Sequence, residues 1–295
     1  MHPTQRRSVI YSQNFLKHPT VARRIITTSN IEAADLVVEI GPGTGMLTRV
    51  LAERARQVLA IEKDPQFARR LRQRLEPRDN VIIFEADALD FPLPLTPYKV
   101  FANIPFNRTA AIVTRLTDAT NPPTEASLVM QREAAERFMG IGHHTLVSVL
   151  MYPWFDCSVV YRFRSGDFAP PPGVDVVLLR ISKRGPPLIV DSDRQGFRDF
   201  VIHGFTAWKP TLREAYRPVL TQHQLRTLAT STDIDLGLKP SMVSATNWLT
   251  LYRCFAAIST PTQRRQIAGT EDRLREQQQH LEKVHRTRTR RHPAR

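Results

Sequence analysis

The sequence predicts an α/β fold, with a mostly parallel β-sheet covered by helices on both faces and a second, smaller helical domain after it. Between residue 20 and about residue 180, short apolar runs alternate with amphipathic helical patterns, which is the rhythm of successive β-α-β units. A Lys-Arg-Gly-Pro-Pro cluster within residues 182–187 breaks this rhythm, and the residues after it are helical without strong strand alternation. A chain of 295 residues is long enough for one large and one smaller domain.

The predicted parallel strands are runs of four or five mainly apolar residues near a turn signal or a helix: Leu36–Ile40, Val58–Ile61, Val81–Phe84, Lys99–Ala102 and Ser127–Met130. The amphipathic helices between them include Met46–Arg54 and Pro65–Leu75. Two β-rich runs, Cys157–Phe163 and Val174–Ile181, flank a Pro-rich turn at residues 169–173. They predict an antiparallel pair that completes the sheet.

These patterns divide the chain into three parts: residues 1–184 as the α/β domain, residues 185–258 as the helical domain, and residues 259–295 as a basic, disordered tail. From Pro261 to Arg295, ten Lys and Arg residues oppose four Asp and Glu residues, a balance of +6. Few apolar residues in this segment are available to anchor it to a core, so the composition favours disorder.

The charge balance indicates a polyanionic partner. The chain has 42 Lys and Arg against 28 Asp and Glu, a formal charge of +14, and nucleic acid is the commonest partner of such a surface. The only cysteines, Cys157 and Cys254, have no Cys or His partners at metal spacing, so neither a disulfide scaffold nor a metal site is expected. No apolar signal region and no long apolar run is present, which predicts a cytoplasmic protein without a membrane segment.

A glycine-rich turn follows the first predicted strand directly. Residues 39–45 read Glu-Ile-Gly-Pro-Gly-Thr-Gly and lead into a helix, a layout that brings a ligand close to backbone N–H groups. A dinucleotide-binding GxGxxG motif needs glycine at its sixth position, where this chain has Met46, so a nicotinamide cofactor is disfavoured.

Two carboxylates follow the next two strands. Glu62 ends the second strand, 21 residues after Gly41, where a carboxylate can accept both ribose hydroxyls of an adenosyl group. A solvated charge at the end of a strand is the alternative reading of Glu62. Asp87 follows the third strand and can accept a hydrogen bond from an adenine amine, or alternatively cap the N-terminus of a helix.

The tetrapeptide Asn103-Ile104-Pro105-Phe106 ends the fourth predicted strand, at the sheet edge where α/β proteins hold their ligands. The exocyclic amine of adenine is a poor nucleophile, and acceptors for both of its N–H groups favour a more pyramidal nitrogen. Asn103 supplies one acceptor, and the turn around Ile104 and Pro105 can supply a backbone carbonyl as the second. Phe106 can stack on the base, a contact worth about 1–3 kcal/mol.

Together these motifs, with Ser-Gln-Asn-Phe-Leu at residues 12–16 and Ala-Ile-Glu at residues 60–62, resemble the Erm-type 23S ribosomal RNA adenine-N6 methyltransferases. The resemblance spans residues 10–255 and implies a Rossmann-like S-adenosylmethionine-dependent methyltransferase domain over residues 1–184, followed by a small C-terminal helical domain over residues 185–258 that binds RNA. Many relatives have Tyr where this chain has Phe106. The sulfonium of S-adenosylmethionine is a good leaving group, so alignment is the main catalytic requirement and no strong base is nominated.

The resemblance also implies roles for individual residues. Asn103 and Phe106 hold the adenine within the segment that includes Ile104 and Pro105, and Phe168 packs on the other face of the base. The residues expected to contact S-adenosyl-L-methionine are Asn14, Leu16 through its backbone, Gly41, Gly43, Glu62, Asp87, Ala88 and Asn103.

The expected substrate is 23S rRNA, with resistance to macrolides, lincosamides and streptogramin B as the biological outcome. The alternatives are the related 16S rRNA adenine dimethyltransferases and a methyltransferase-like nucleic-acid-binding factor without catalysis; Ser12 before Gln13 and Asn14 favours the Erm type over the first. A monomer is expected, whereas the number of methyl groups added and the target nucleotide stay open. Trp154, Trp208 and Trp248 are expected to pack in the core or between domains.

Overall fold

The computed structural model describes residues 15–75 and 78–278, except for the side chain of Phe106. The chain divides into two compact units. Of the described residues, the first unit contains those from 15 to 139 together with 154–186, and the second contains 140–153 and 187–278. The second unit thus begins earlier than the predicted boundary at residue 184, because a segment of 14 residues leaves the first unit and returns to it.

The first unit is built on a seven-stranded sheet with the order β4-β3-β2-β5-β6-β9-β7. Strands β2, β3, β4, β5 and β6 run parallel to one another, whereas β9 is antiparallel to both β6 and β7. A further short antiparallel pair joins β1 to β8. The strands are β1 Phe15–Leu16, β2 Leu36–Ile40, β3 Gln57–Glu62, β4 Val81–Glu85, β5 Lys99–Asn103, β6 Glu125–Gln131, β7 Phe155–Arg162, β8 Phe168–Ala169 and β9 Val176–Lys183.

The helices of the first unit are α1 Pro19–Thr28, α2 Met46–Ala52, α3 Pro65–Leu75, α4 Thr109–Thr117 and α5 Arg132–Met139, of which α2, α3 and α4 connect parallel strands. Every residue of β2 is buried, as expected for a central parallel strand covered on both faces. The α/β class, the five parallel strands and the closing antiparallel pair are confirmed, with strand ends that differ from the prediction by one or two residues. The helix predicted over Met46–Arg54 starts where expected but ends at Ala52.

The second unit is helical in its described part: α6 Leu146–Met151, α7 Arg194–Thr206, α8 Leu212–Tyr216, α9 Gln222–Thr232, α10 Ala245–Ile258 and α11 Pro261–Ile267, with residues 270–278 also helical. Its core is rich in aromatic residues. The ring of Phe200 stacks on Tyr216 at 4.6 Å and meets Trp248 edge-on at 5.8 Å. Thr221 and Thr260 form capping boxes that define the starts of α9 and α11.

The C-terminal segment differs from the expected disordered tail as far as residue 278. Ile267 is buried, and the carboxylate of Glu271 accepts two hydrogen bonds from the buried guanidinium of Arg198, the shorter at 2.6 Å. Asp199 accepts from the backbone N–H groups of Gly269 and Glu271 at 3.0 and 2.9 Å. Hydrogen bonds to charged side chains thus anchor this segment, although it has few apolar residues. Residues 279–295 lie outside the described residues.

Two of the three tryptophans are buried as expected, but the third is not. Trp154 and Trp248 are 6% and 0% exposed, whereas Trp208 is 93% exposed. Within residues 15–75 and 78–278, no helix is long and apolar enough to span a membrane, and no group of three or more His, Cys, Asp or Glu residues is arranged to hold a metal ion.

Candidate active site

The carboxyl ends of three neighbouring parallel strands place predicted site residues side by side. Ile40, the last residue of β2, is in register with the penultimate residues of β3 and β5. Gly41 directly follows Ile40, and Glu62 and Asn103 are the last residues of β3 and β5. Because parallel strands share their direction, these three residues form one row at the carboxyl edge of the sheet, where α/β folds bind their ligands.

A cavity of about 390 Å³ opens at this edge. Its volume falls within the usual range of about 300–1,000 Å³ for sites of small molecules and cofactors. Most of the predicted site residues line it, namely Leu16, Gly41, Glu62, Asp87, Ala88, Asn103, Ile104, Pro105 and Phe168. The structure therefore brings together residues that lie up to 152 positions apart in the sequence.

The glycine-rich turn is joined to β3 through Gly43. The backbone N–H of Gly43 donates to Oε2 of Glu62 at 3.0 Å, although Gly43 itself does not line the cavity. Its φ of +55° lies in the left-handed region, and a Cβ at this position would lie 2.8 Å from the ring of Phe15. Only glycine fits both the conformation and the space.

The carboxylate of Glu62 is held by the backbone on both sides. Oε2 accepts from Gly43 and Oε1 accepts from the N–H of Asp64 at 2.9 Å. The side chain is buried, and burial raises the pKa of Glu62 even though these hydrogen bonds oppose the shift. Each oxygen retains one acceptor position, so the group can accept two hydroxyls at once.

A second carboxylate, Glu39, lies in the middle of β2 and is fully buried. Among the described residues, neither of its oxygens, nor the nearby hydroxyl of Thr48, has a partner within hydrogen-bonding geometry. Burial raises the pKa of Glu39 to about 8; Thr48 lowers it slightly and Glu62 raises it. Glu39 is therefore a neutral carboxylic acid at pH 7, which avoids the cost of an unpaired charge in the core.

Asp87 is surrounded by donors. Lys63 donates to Oδ2 at 2.5 Å, Arg108 donates to the same oxygen at 3.4 Å, and the N–H of Leu89 donates to Oδ1 at 3.1 Å. The hydrogen bond from Lys63 is the main reason that the pKa of Asp87 is lowered. Three donors leave about one of the four lone-pair positions of the carboxylate, on Oδ1, for a further amine.

The segment after Asn103 forms the extended turn that its proline predicts. Pro105 has φ −55° and ψ 129°, and the N–H of Ile104 donates to the carbonyl of Val129 at 3.4 Å. The carbonyl of Pro105 accepts from the N–H of Arg108 at 2.8 Å. The carbonyl of Ile104 is thus the backbone acceptor best suited to join the side chain of Asn103 at the cavity.

Two segments distant in sequence complete one wall. Leu16 of β1 is in register with Phe168 of β8, and both line the cavity. Phe168 is only 2% exposed and packs against Phe163 with ring centroids 5.1 Å apart. It presents little of its ring to an incoming base in this conformation. Asn14 and the side chain of Phe106, both predicted site residues, lie outside the described residues.

Sequence reasoning missed two charged residues that line this cavity, Lys63 and Arg108, and the buried acid Glu39 in the strand that leads to it. An exposed cation in a loop gives no sequence signal, so the partners of Asp87 were not accessible from the sequence. Glu39 did give one, because it is the only charged residue in the apolar run Leu36–Ile40 and every residue of a central parallel strand is expected to be buried.

Comparison with known proteins decides the family. A family model described as ribosomal RNA adenine dimethylase matches residues 5–257. The chain belongs to this family. Membership makes it an S-adenosylmethionine-dependent methyltransferase that acts on N6 of adenine in ribosomal RNA.

Relatives in the adenine dimethylase family include proteins described as acting on either ribosomal subunit. The rRNA adenine N-6-methyltransferase of Aeromicrobium erythreum is 32% identical, over 83% of this chain and 72% of the relative. The ribosomal RNA small subunit methyltransferase A of Acaryochloris marina is 30% identical, over 82% of this chain and 94% of the relative. The crystal structure of the 23S rRNA methyltransferase ErmE has a TM-score of 0.74 and 29% identity, over 82% of this chain and 100% of that one.

Proposed function

We propose that this enzyme binds S-adenosylmethionine in the cavity at the carboxyl edge of the sheet and transfers its methyl group to N6 of an adenine in 23S rRNA. The observation that carries the proposal is the row of Gly41, Glu62 and Asn103 with Asp87 beside it, all lining one cavity. A mixed set of carboxylate acceptors, backbone groups and apolar walls fits an adenosyl ligand.

The acceptors of this site match the donors of an adenosyl group. The two acceptor positions left on Glu62 suit the two ribose hydroxyls, since Gly43 and Asp64 already fix the carboxylate. The remaining position on Oδ1 of Asp87 suits the exocyclic amine of the adenine ring. The lowered pKa of Asp87 keeps this group ionised, so that it accepts hydrogen bonds and does not donate one.

The reacting adenine is held by Asn103 and the carbonyl of Ile104. The side-chain oxygen of Asn103 accepts from one N–H of the target amine and the Ile104 carbonyl accepts from the other, which leaves the nitrogen lone pair directed at the methyl group. Bound S-adenosylmethionine supplies a methyl group activated by a sulfonium. The amine becomes acidic on methylation, so its proton passes to water or to one of these acceptors, and alignment is the main task of the protein.

Two aromatic side chains are proposed to enclose the base. Phe106 supplies a stacking face by virtue of its position in the motif, and a ring without a hydroxyl suffices for stacking. The buried position of Phe168 suits a supporting role in the wall behind the base.

The choice of 23S rRNA is supported by the similarity to the 23S rRNA methyltransferase ErmE. Methylation of an adenine where macrolides, lincosamides and streptogramin B bind removes a hydrogen-bond donor and adds bulk, so resistance follows from this substrate. We also propose that the enzyme acts on ribosomal RNA as a monomer and in the cytoplasm. The comparable similarity to small subunit methyltransferases makes 16S rRNA the second candidate.

The test is transfer of labelled methyl from S-adenosylmethionine to protein-free 23S and 16S rRNA in parallel. We expect label in 23S rRNA and its loss in Asn103→Ala, with Asn247→Ala as a matched control, because Asn247 lies on α10 and does not line the cavity. Label only in 16S rRNA would favour the second candidate. Cofactor binding without label in either RNA would favour the non-catalytic nucleic-acid-binding alternative.

A further inference from the structure

Trp208 is the most exposed large apolar residue of the described chain. It is the second residue after the end of α7 and is 93% exposed, whereas the two other tryptophans are buried. Its φ of +53° lies in the left-handed region, which a bulky side chain rarely adopts. The fold thus accepts backbone strain and exposed aromatic surface at the same residue. Neither feature stabilises the folded chain, and a strained residue is more often retained for function.

Hydrogen bonds anchor the chain on both sides of the loop that carries Trp208, and before it the N–H of Ala207 donates to the carbonyl of His203 at 3.0 Å. The N–H groups of Leu212 and Arg213 donate to the carbonyls of Leu238 and Leu236 at 3.1 and 2.8 Å, which joins the start of α8 to the segment before Lys239. Further along this segment, the carbonyl of Pro240 accepts from the indole of Trp248 at 3.2 Å. The exposed indole is therefore presented from an ordered base.

Cations flank this loop. Lys209, Arg213 and Lys239 are exposed, come from the two segments that the hydrogen bonds join, and form no ion pair within the described part of the chain. The acids in the same segments are engaged locally: Glu214 accepts from Thr211 and Asp235 accepts from the N–H of Gly237.

We propose that Trp208 is a stacking platform for an unpaired base of ribosomal RNA, with Lys209, Arg213 and Lys239 contacting adjacent phosphates. The inference rests on the proposed rRNA substrate and adds a contact by a residue of the second unit that does not line the cavity. A single aromatic ring among cations suits a base between phosphates, since stacking and charge together hold single-stranded nucleic acid. A protein partner would instead favour a wider apolar patch.

The test compares binding of Trp208 variants to protein-free 23S and 16S rRNA at fixed salt. We expect Trp208→Ala to raise the Kd by about 5- to 150-fold and Trp208→Phe, which keeps a stacking face, to raise it far less. Leu95→Ala is the matched control, because Leu95 is 91% exposed in the first unit, and its Kd should equal that of the wild type.

Two further readouts separate stacking from a structural role. Trp208→Gly should melt at or above the wild-type temperature, because glycine relieves the left-handed strain, and yet should bind RNA as poorly as Trp208→Ala. Lys209→Gln should reduce the slope of log Kd against log salt by about one. The affinity for S-adenosylhomocysteine should stay unchanged in all of these variants.

Several outcomes would overturn the inference. Wild-type affinity of Trp208→Ala for both RNAs would do so, and so would equal losses in the Phe and Ala variants. A defect seen only on ribosomal particles, and not on protein-free RNA, would identify a protein partner. Binding is measured apart from methyl transfer, so absence of label in the preceding assay would reject the proposed reaction without deciding the role of Trp208.

Discussion

Replacing Glu39 with glutamine should remove a large pH dependence from the stability of the protein. The side chain of Glu39 is fully buried in β2, its oxygens have no hydrogen-bond partner in the part of the chain that the structure describes, and its pKa is raised to about 8 in the folded state. Glutamine has the same shape and resembles the neutral acid, so the fold should persist. Because glutamine does not titrate, the variant loses the pH-dependent contribution of residue 39 to the free energy of unfolding.

The magnitude follows from the two pKa values of Glu39. The folded state keeps its proton up to a pH of about 8, whereas the ordinary value is 4.5, so unfolding releases a proton between these limits. The free energy of unfolding therefore falls as the pH rises, by about 1.4 kcal/mol per unit, and by roughly 5 kcal/mol across the whole window. The contribution is fully present below pH 4.5 and is lost as the pH rises through 8.

The assay is equilibrium urea unfolding of the wild type, Glu39→Gln and Glu133→Gln at several pH values, where Glu133 is an exposed carboxylate on α5. The difference between the wild type and Glu39→Gln cancels the other titrating groups. It should move in favour of the variant by several kcal/mol from pH 5 to pH 8, while Glu133→Gln follows the wild type. A difference that does not vary with pH would refute the account of Glu39 as a buried neutral acid.

Three other perturbations test the packing and the site. Gly45→Ala should destabilise the chain by about 1–3 kcal/mol, because φ is +80° and a Cβ would meet a leucine of α3 at 2.5 Å; an unchanged melting temperature would contradict this. Arg198→Met should cost about 1–3 kcal/mol in urea unfolding, because it removes the buried partner of Glu271 and leaves the exposed Arg275 as its remaining cation, and adding Glu271→Leu should recover much of the loss; a loss without recovery would show that the ion pair is not its cause. Lys63→Met should raise the pKa of Asp87 and so move the acid limb of S-adenosylhomocysteine affinity to higher pH, as calorimetry across pH would show; an unmoved limb would separate Asp87 from cofactor binding.

The sheet and its carboxyl edge could be predicted from the sequence because apolar periodicity is a local property. The runs at Leu36–Ile40 and Lys99–Ala102 are central buried strands, and their register places Gly41, Glu62 and Asn103 in one row. Once the strands are known to be parallel, residues that end neighbouring strands must meet.

Other features of the fold could not be predicted, because they depend on contacts between residues that are distant in the sequence. The C-terminal segment lacks apolar residues, yet Glu271 is buried against Arg198, 73 positions away. The second unit takes residues 140–153 from between α5 and β7, a crossing that no local composition marks. The exposure of Trp208 was also inaccessible, because tryptophan is usually buried and the left-handed backbone that turns it outward has no sequence signal.

The most direct test of the central claim is the identity and position of the methylated nucleoside in ribosomal RNA from cells that express the enzyme. Mass spectrometry of 23S rRNA fragments should detect N6-methylated adenosine at one position for the wild type, and none for Asn103→Ala expressed at the same level. Methylation of 16S rRNA alone, or an equal yield from Asn103→Ala, would contradict the account.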